Sequence, residues 1–571
     1  MRKRILTIDI ETGESSGDSV KLGFSDNVLS VCVYDGNRYR LFDDLQSCGR
    51  YLQSLSTNTI WIVYAHNGGK FDYKYLLRHF DSYSLVLNGG QFICAKWKSI
   101  EFRDSLNLFK TSLKKASQAF GGGIEKGSCP IGDWIPRKQM LDYLCRDCES
   151  LYATLEGFAK LLGIRPIQLK LTVASTSYNE FRQEYGKVRF RVDFPGLDTR
   201  LYRKLSDSYF GGRVEIFNMT LGGGIGLDVN SLYPSVLHSE LYPCGYPLNI
   251  TGFDSDLLGI YNVRITGYED KSGIGQFPCK IDGKLLFPFG NFTSWITSAD
   301  IKYFEDRKGL GSCTGKITFL SGFGFTGIRP FASFIDRLMR LKLSGGEGER
   351  QLAKYLMNSL YGKFAQKPEF SDIYITSSAK ELSEKLSEGY SIVDDSGSQY
   401  WLSKEEVNER TKYIPVAVFV TSYARLVLQR AIHYLSDRGY CVGYCDTDSI
   451  FLECTENTIP KDIPGGLHES RLGAWKREID FSGANFVLPK TYAIFGQNGE
   501  IIKVRAKGFP ARCVADLEGL FRGVGWDGIV GLKTALRGSG AIVQAMNKQI
   551  RAVYAKREIL PDGSTKNIWL E

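Results

Sequence analysis

Residues 350–364 read Arg-Gln-Leu-Ala-Lys-Tyr-Leu-Met-Asn-Ser-Leu-Tyr-Gly-Lys-Phe, and on a helix Lys354, Asn358 and Tyr361 recur at i, i+4 and i+7 along one stripe. Leu352, Leu356 and Leu360 fall mostly elsewhere, as a buried face requires. A cation, an amide and an aromatic ring in a row match a triphosphate, a sugar and a base. The stretch from Phe334 to Lys342 also has helical spacing, and Ser344-Gly-Gly-Glu-Gly348 between the two reads as a turn. The spacing predicts a two-helix hairpin in which Lys342 and Arg350 add to a phosphate grip. A merely solvated basic helix is the competing reading.

Acidic stretches lie on either side of this helix. Upstream, Gly224-Ile-Gly-Leu-Asp-Val-Asn-Ser-Leu-Tyr-Pro-Ser235 is an apolar strand that delivers Asp228 to a turn. Downstream, Tyr444-Cys-Asp-Thr-Asp-Ser-Ile450 reads as a hairpin with its acids at the tip, and Asp446 and Asp448, two apart, face the same way. Phosphoryl transfer from a nucleotide uses two divalent cations about 3.5 to 4 Å apart, and carboxylates are the hard oxygen ligands that Mg²⁺ prefers. Alone, the acids propose a two-metal transferase; the helix between them makes it a nucleotide site.

Composition sets the bounds. At 571 residues with 43% hydrophobic content the chain exceeds what one core serves, so several domains are expected. Seventy-two Lys and Arg against 63 Asp and Glu give a net charge of +9; this modest excess favours a polyanionic partner without deciding for one. Thirteen cysteines, an odd number, argue for reduced thiols in a cytosolic setting rather than a disulfide framework. Cys145-Arg-Asp-Cys148 lacks a second ligand pair for zinc and reads as small residues on a helix. The basic start Met1-Arg-Lys-Arg is followed by an apolar run broken at Asp9, so neither a signal peptide nor a membrane span is expected. Repeats and low-complexity segments are not evident.

The N-terminal stretch Ile5-Leu-Thr-Ile-Asp-Ile-Glu-Thr-Gly13 alternates like a strand, with Leu6, Ile8 and Ile10 on one face and Thr7, Asp9 and Glu11 on the other. Ile60-Trp-Ile-Val-Tyr-Ala-His-Asn-Gly-Gly-Lys-Phe-Asp72 is a second apolar strand, ending in a turn with Asn67 and Asp72. Tyr143 and Asp147, four apart, share one face of a predicted helix. In order and spacing these sets resemble the three motifs of DnaQ-like 3′–5′ proofreading exonucleases. The resemblance implies that Asp9, Glu11, Asp72 and Asp147 bind two metals and that the Tyr143 hydroxyl orients the attacking water. It places Asn67 and Phe71 near a single-stranded 3′ end, with Ser105 and Leu106 of Asp104-Ser-Leu-Asn-Leu-Phe109 in a further strand-binding motif.

The later segments resemble family B DNA polymerases. Residues 224–235 resemble motif A, 350–364 resemble motif B (Lys-x3-Asn-Ser-x-Tyr-Gly) and 444–450 resemble motif C. The resemblance makes Asp228 and Asp448 direct ligands of both metals, includes Val229 in the metal set, gives Asp446 an auxiliary part, and makes Tyr233 a steric gate against a 2′-hydroxyl. It puts Lys342, Arg350, Lys354, Asn358 and Tyr361 on the nucleotide and Ser359, Gly362 and Lys363 on DNA. Lys490-Thr491-Tyr492 looks like the Lys-x-Tyr primer-strand motif. Tyr209-Phe-Gly-Gly212 looks like Tyr-x-Gly-Gly, whose Gly211 and Gly212 permit close approach of a template strand. Mg²⁺ is the expected cofactor, two ions per active site, with Mn²⁺ as a substitute.

The nuclease motif begins within the first dozen residues, leaving no room for the extra N-terminal domain of most cellular members. From Asp228 to Asn358 is 130 residues and from Asn358 to Asp446 is 88, and both intervals look like insertions. The second holds Glu381-Leu-Ser-Glu-Lys-Leu-Ser-Glu-Gly-Tyr-Ser-Ile-Val-Asp-Asp-Ser-Gly397, polar and hairpin-like. This layout resembles the protein-primed replicases of phages with linear genomes, the phi-29 type. It implies an α/β multidomain fold: a ribonuclease H-like exonuclease domain (1–166), palm (167–240 and 414–508), a terminal-protein region (241–330), fingers (331–365), a strand-displacement and processivity insertion (366–413) and a thumb (509–571). In the thumb, Arg522, Lys533, Arg537, Lys548, Arg551, Lys556 and Arg557 are candidate phosphate contacts. The implied partners are primer-template DNA, a single-stranded 3′ end, dNTPs and a terminal protein, for a monomer in the cytoplasm of a bacterial host. The alternatives are an oligonucleotide-primed repair or plasmid polymerase and a catalytically silent DNA-binding scaffold.

Overall fold

The computed structural model describes residues 2–571 except 56, 396–398, 408–410, 456, 457, 459, 538–540 and 552. Strand Arg2–Ser16 lies inside a mixed sheet. It runs parallel to Thr59–Ala65, with Thr7 opposite Tyr64, and antiparallel to Val28–Tyr34, with Asp9 opposite Cys32. Ile100–Asp104 continues the parallel part, and Gln91–Trp97 and Ser82–Asn88 follow antiparallel. Both faces of the first strand are covered, so Thr7 is as buried as Leu6 and Ile8. Leu6, Ile8 and Ile10 pack with Tyr73, Leu76 and Phe102. On the other face, Thr7 Oγ1 donates to Cys148 O of helix Arg137–Leu161 at 2.8 Å. Tyr143 and Asp147 are thereby laid over the face that carries Asp9 and Glu11.

The second long interval docks on this sheet. Ile373–Thr376 pair antiparallel with Ser82–Leu85, and Ser391–Asp395 and Tyr400–Val407 extend the same edge. Residues 396–398, between the last two of these strands, lie outside the described residues.

A second sheet orders Val214–Ile216, Cys441–Asp446, Ser449–Glu453, Gly224–Val229 and Trp475–Phe481, all antiparallel. The helix Ile414–Ser436 is buried on nearly every side, which its unbroken apolar composition demands. Helices Ala332–Ser344 and Glu347–Phe364 form the expected hairpin, turning at Gly345 and Gly346. Glu349 Oε2 accepts from Gly346 N at 2.8 Å and closes the N-terminus of the second helix.

The first interval builds its own sheet of Tyr242–Ile250, Cys313–Ile328, Leu258–Asp270 and Phe289–Thr297, with helix Ser298–Gly309 across it. The last strand of the chain, Trp569–Leu570, adds to the edge of that sheet beside Phe289. The region 509–571 therefore packs in two places. Val530, Leu532, Ala535, Leu536 and Ile542 join the core under the N-terminal sheet, and Lys74 Nζ donates to Val530 O at 2.5 Å. The hairpin of Arg557–Ile559 and Thr565–Asn567 returns to the palm, where Thr565 N donates to Phe217 O. Among the described residues no helix is long and apolar enough to cross a membrane.

Candidate active sites

Asp9, Glu11, Asp72 and Asp147 come together between strand Arg2–Ser16 and helix Arg137–Leu161. Asp72 and Asp147 are almost fully buried. Burial, then the charges of Asp72, Glu11 and Asp147, push the Asp9 carboxyl well above the usual range. Burial pushes Glu11 up to about 7 and Asp72 up to about 8, the latter with help from Asp104 and Glu11. Four carboxylates crowded in this way resist ionising together.

Lys126, which the motif reading missed, sits among them. Its ammonium is paired with Asp147 and lies 2.6 Å from the Tyr143 hydroxyl and 4.6 Å from that ring's centre. It pulls against the burial that raises Asp147.

The expected strand-binding residues border this cluster. Asn67 has φ 65, and its N–H and that of Gly69 donate to Asp104 at 2.9 and 3.0 Å, as does Leu106 N at 2.9 Å. A Cβ on Gly69 would lie 2.3 Å from Phe92 Cβ, and one on Gly68 would lie 2.6 Å from Ala65 Cβ, so the glycine pair is fixed by crowding. Asp104 organises the loop, while Ser105 is buried, its Oγ 2.9 Å from His66 Nδ1. Phe71 packs on Tyr75 and meets the exposed ring of Phe24 edge-on at 6.4 Å.

In the second site Asp228 lies opposite Ser449, and Val229 N donates to Asp448 O at 2.8 Å. Asp228 and Asp448 thus stand at adjoining strand ends. Burial, then Asp448 and Glu478, push Asp228 up to about 7; burial also raises Asp448. Glu478, on the neighbouring strand Trp475–Phe481, is a third acid here that no motif revealed. Asp446 is held differently, by Lys490 Nζ at 2.7 and 2.8 Å.

Tyr233 stacks on Tyr361 with ring centres 4.3 Å apart, and the Asp448 charge acts on both phenols. Lys354 and Asn358 are exposed on the same stripe. Asn358, Ser359, Tyr361 and Gly362 wall a hollow of about 250 Å³ that faces Gln91 and Asn107 of the nuclease domain. Lys342 Nζ donates to Ser231 Oγ at 3.0 Å, in the turn after Asp228. Arg350 Nε donates to Gly345 O at 2.7 Å, at the hairpin tip. Lys363 is half-buried, and desolvation lowers it to about 8.

A Cβ on Gly212 would meet Thr447 Oγ1 at 2.8 Å, so this glycine is required by the tip of the acidic hairpin; Gly211 has open space. Arg425, also missed, is buried beneath Tyr209-Phe-Gly-Gly212, and its Nη1 donates to Phe210 O at 2.9 Å and Gly211 O at 3.2 Å. Thr491 and Tyr492 are buried, the latter among Tyr444, Phe451 and Phe486, which leaves Lys490 as the exposed member of its triplet. Four of the seven described non-glycine residues with left-handed φ, namely Asn67, Ser231, Thr447 and Lys490, fall in these motifs. Such strain concentrates where function holds the backbone.

Among the described residues no three His, Cys, Asp or Glu side chains converge closely enough to hold an ion as they stand. The donor chemistry fits divalent cations all the same: hard oxygens only, mutually repelling, with buried Oδ1 of Asp72 and Asp147 accepting no hydrogen bond.

The family model for "DNA polymerase type B, organellar and viral" matches residues 54–135 and 132–433. The DNA polymerase of Bacillus phage phi29 is 29% identical over 416 residues, 68% of this chain and 66% of that protein. The DNA polymerase of Bacillus phage Nf is 28% identical over 414 residues with the same shares. The chain thus spans 66% of the length of these phage relatives. The DNA-directed DNA polymerase of Enterobacteria phage PRD1 is 27% identical over 520 residues, 88% of this chain and 85% of that one. Among solved structures, phi29 DNA polymerase with primer-template DNA and incoming nucleotides superimposes with a TM-score of 0.74 at 22% identity, covering 96% of this chain and 100% of that one. The family match and the shared architecture of exonuclease, palm, fingers and thumb place this chain among the organellar and viral type B DNA polymerases.

Proposed function

We propose that the chain is a DNA-directed DNA polymerase with its own 3′–5′ exonuclease, copying a linear phage-type genome from the hydroxyl of a terminal protein. The observation that carries this reading is the meeting of Asp228 and Asp448 at adjoining strand ends, within electrostatic reach of the stacked Tyr233 and Tyr361. Primer-template DNA and dNTPs are the partners, supported by the similar phi29 polymerase solved with both.

In this reading Tyr233 lies under the sugar and its ring collides with a 2′-hydroxyl. Lys342 and Lys354 meet the triphosphate, and Lys490 neutralises Asp446 beside the primer terminus. In the nuclease cluster Asn67 and Phe71 hold the frayed 3′ end, Tyr143 orients water, and Lys126 pairs with Asp147 and opposes the burial that raises its carboxyl. Mg²⁺ or Mn²⁺, held by Asp228 and Asp448 in one site and by Asp9, Glu11, Asp72 and Asp147 in the other, supplies Lewis-acid activation and charge neutralisation. The hairpins at 369–407, fixed to the nuclease sheet, suit a strand-separating wall, and the sheet at 242–328 suits a docking surface for the terminal protein. The cytoplasm of a bacterial host is the corresponding place of action for a monomer.

Incubation with a candidate terminal protein, origin DNA, Mg²⁺ and labelled dATP tests the priming claim. Covalent labelling of the terminal protein, lost in Asp228→Ala, is the expected result; extension of oligonucleotide primers without any labelling would make the chain an oligonucleotide-primed enzyme. Tyr233→Val should retain extension and admit ribonucleotides, and an unchanged sugar preference would remove the gate.

A further inference from the structure

The helix Ile414–Ser436 is sealed except at Ser436 and at Tyr423, Val427, Arg430 and Tyr434. These four are spaced at i, i+4, i+7 and i+11 and form one stripe about 16 Å long. Its first three members, Tyr423, Val427 and Arg430, floor a groove made of two hollows of about 460 and 260 Å³ that share Glu240, Val427 and Arg430. None of the lining residues belongs to either carboxylate site.

Cations stand along the groove with little to neutralise them. Arg471 closes one end, and Lys302 and Arg329 close the other. Both ends are exposed, as is Arg430 in the middle. Among the described residues none of the four pairs with a carboxylate: Arg471 bonds Gly465 O at 2.7 Å, and Arg430 rests 5.4 Å from the centre of the Tyr303 ring. Glu240 is the acid in the lining. Nearby Asp437 is held by Arg307 and Asp336 by His238. Beyond the hollows, on the same stripe, Arg438 lies 3.7 Å from the centre of the Tyr434 ring.

We propose that this groove is a second site for single-stranded DNA, separate from the two catalytic clusters. Val427 and Tyr423 on the floor suit base faces, while the guanidinium and ammonium groups at the ends and centre suit successive phosphates. An acidic protein segment would satisfy the charges but leave the aromatic and aliphatic floor without matched partners. The proposal goes beyond the polymerase reading, because it concerns binding measured directly on the protein.

The test is binding of a fluorescent oligothymidylate to divalent-free protein already saturated with unlabelled primer-template. Wild type should take up the labelled strand with an affinity that falls as salt rises. Arg329→Glu with Arg430→Glu, and independently Lys302→Glu with Arg471→Glu, should each weaken it at least tenfold. The salt dependence should flatten by about 0.7 in logarithmic slope for each phosphate that no longer meets a cation, while single-nucleotide incorporation on a short template stays at the wild-type rate and reports intact folding. Equal affinity in wild type and both double variants would overturn the proposal. So would uptake of an oligoglutamate peptide without uptake of the labelled strand, which would assign the groove to an acidic protein partner.

Discussion

At the scale of single residues, the cluster of Asp9, Glu11, Asp72 and Asp147 is an electrostatic strain that divalent cations would relieve. Folding raises Glu11 to about 7 and Asp72 to about 8, against unfolded values near 4. The folded, divalent-free protein therefore binds more protons than the unfolded chain between about pH 4 and pH 8, and its stability falls as pH rises through that window. Asp72→Asn should raise the melting temperature of divalent-free protein by a few degrees at pH 8 and change it little near pH 4; thermal melts at both pH values check this. Removing Lys126 leaves Asp147 without its cation, so Lys126→Met should lower the rate of single-strand degradation roughly 10- to 100-fold and leave primer extension intact, as a gel of labelled strands would show. The acids were legible because strand alternation and helical spacing fix which way they point. Lys126, Glu478 and Arg425 were not, since a lone lysine in a loop, a glutamate on an edge strand and an arginine in an apolar helix carry no local pattern; only packing brings them to the sites.

At the scale of elements, the turns matter more than the strands they join. Thr447 takes a left-handed φ of 62 between the two acids of its hairpin, and its N–H donates to Arg213 O at 2.8 Å. A β-branched residue is strained there, so Thr447→Gly should keep the hairpin and leave stability equal or about 1 kcal/mol higher, measured by denaturant unfolding. Gly212→Ala should instead disturb the hairpin tip, because its Cβ would press on Thr447; extension should fall while degradation of single strands persists. Spacing gave both finger helices to within about three residues of their ends, and it gave the strands that deliver Asp228 and Asp446 without their bounds. Lys490-Thr491-Tyr492 reads differently in the structure: strand Thr491–Phe495 is covered on both faces, so Thr491 and Tyr492 are both buried and only Lys490 is exposed.

At the scale of the molecule, the chain is braced across its length. The strands at 369–376 and 400–407 continue the nuclease sheet, and Arg537 reaches from the C-terminal region to Asp394 of the same insertion at 2.6 Å. Such links between distant segments have no signature in sequence, which is why the insertion and the C-terminal region read as separate pieces. Replacing residues 378–407 with a short glycine-serine linker should shorten products and reduce copying through duplex DNA while leaving single-nucleotide incorporation near wild type, as product-length analysis on single-stranded and duplex templates would show. In the proposed function two separate carboxylate sites perform opposite reactions on one strand. A 5′-labelled primer-template with Mg²⁺, followed with and without dNTPs, tests it most directly: Asp228→Ala should lose extension and keep 3′–5′ degradation, and Asp9→Ala with Glu11→Ala should do the reverse. Loss of both activities in either variant would rule out two independent sites.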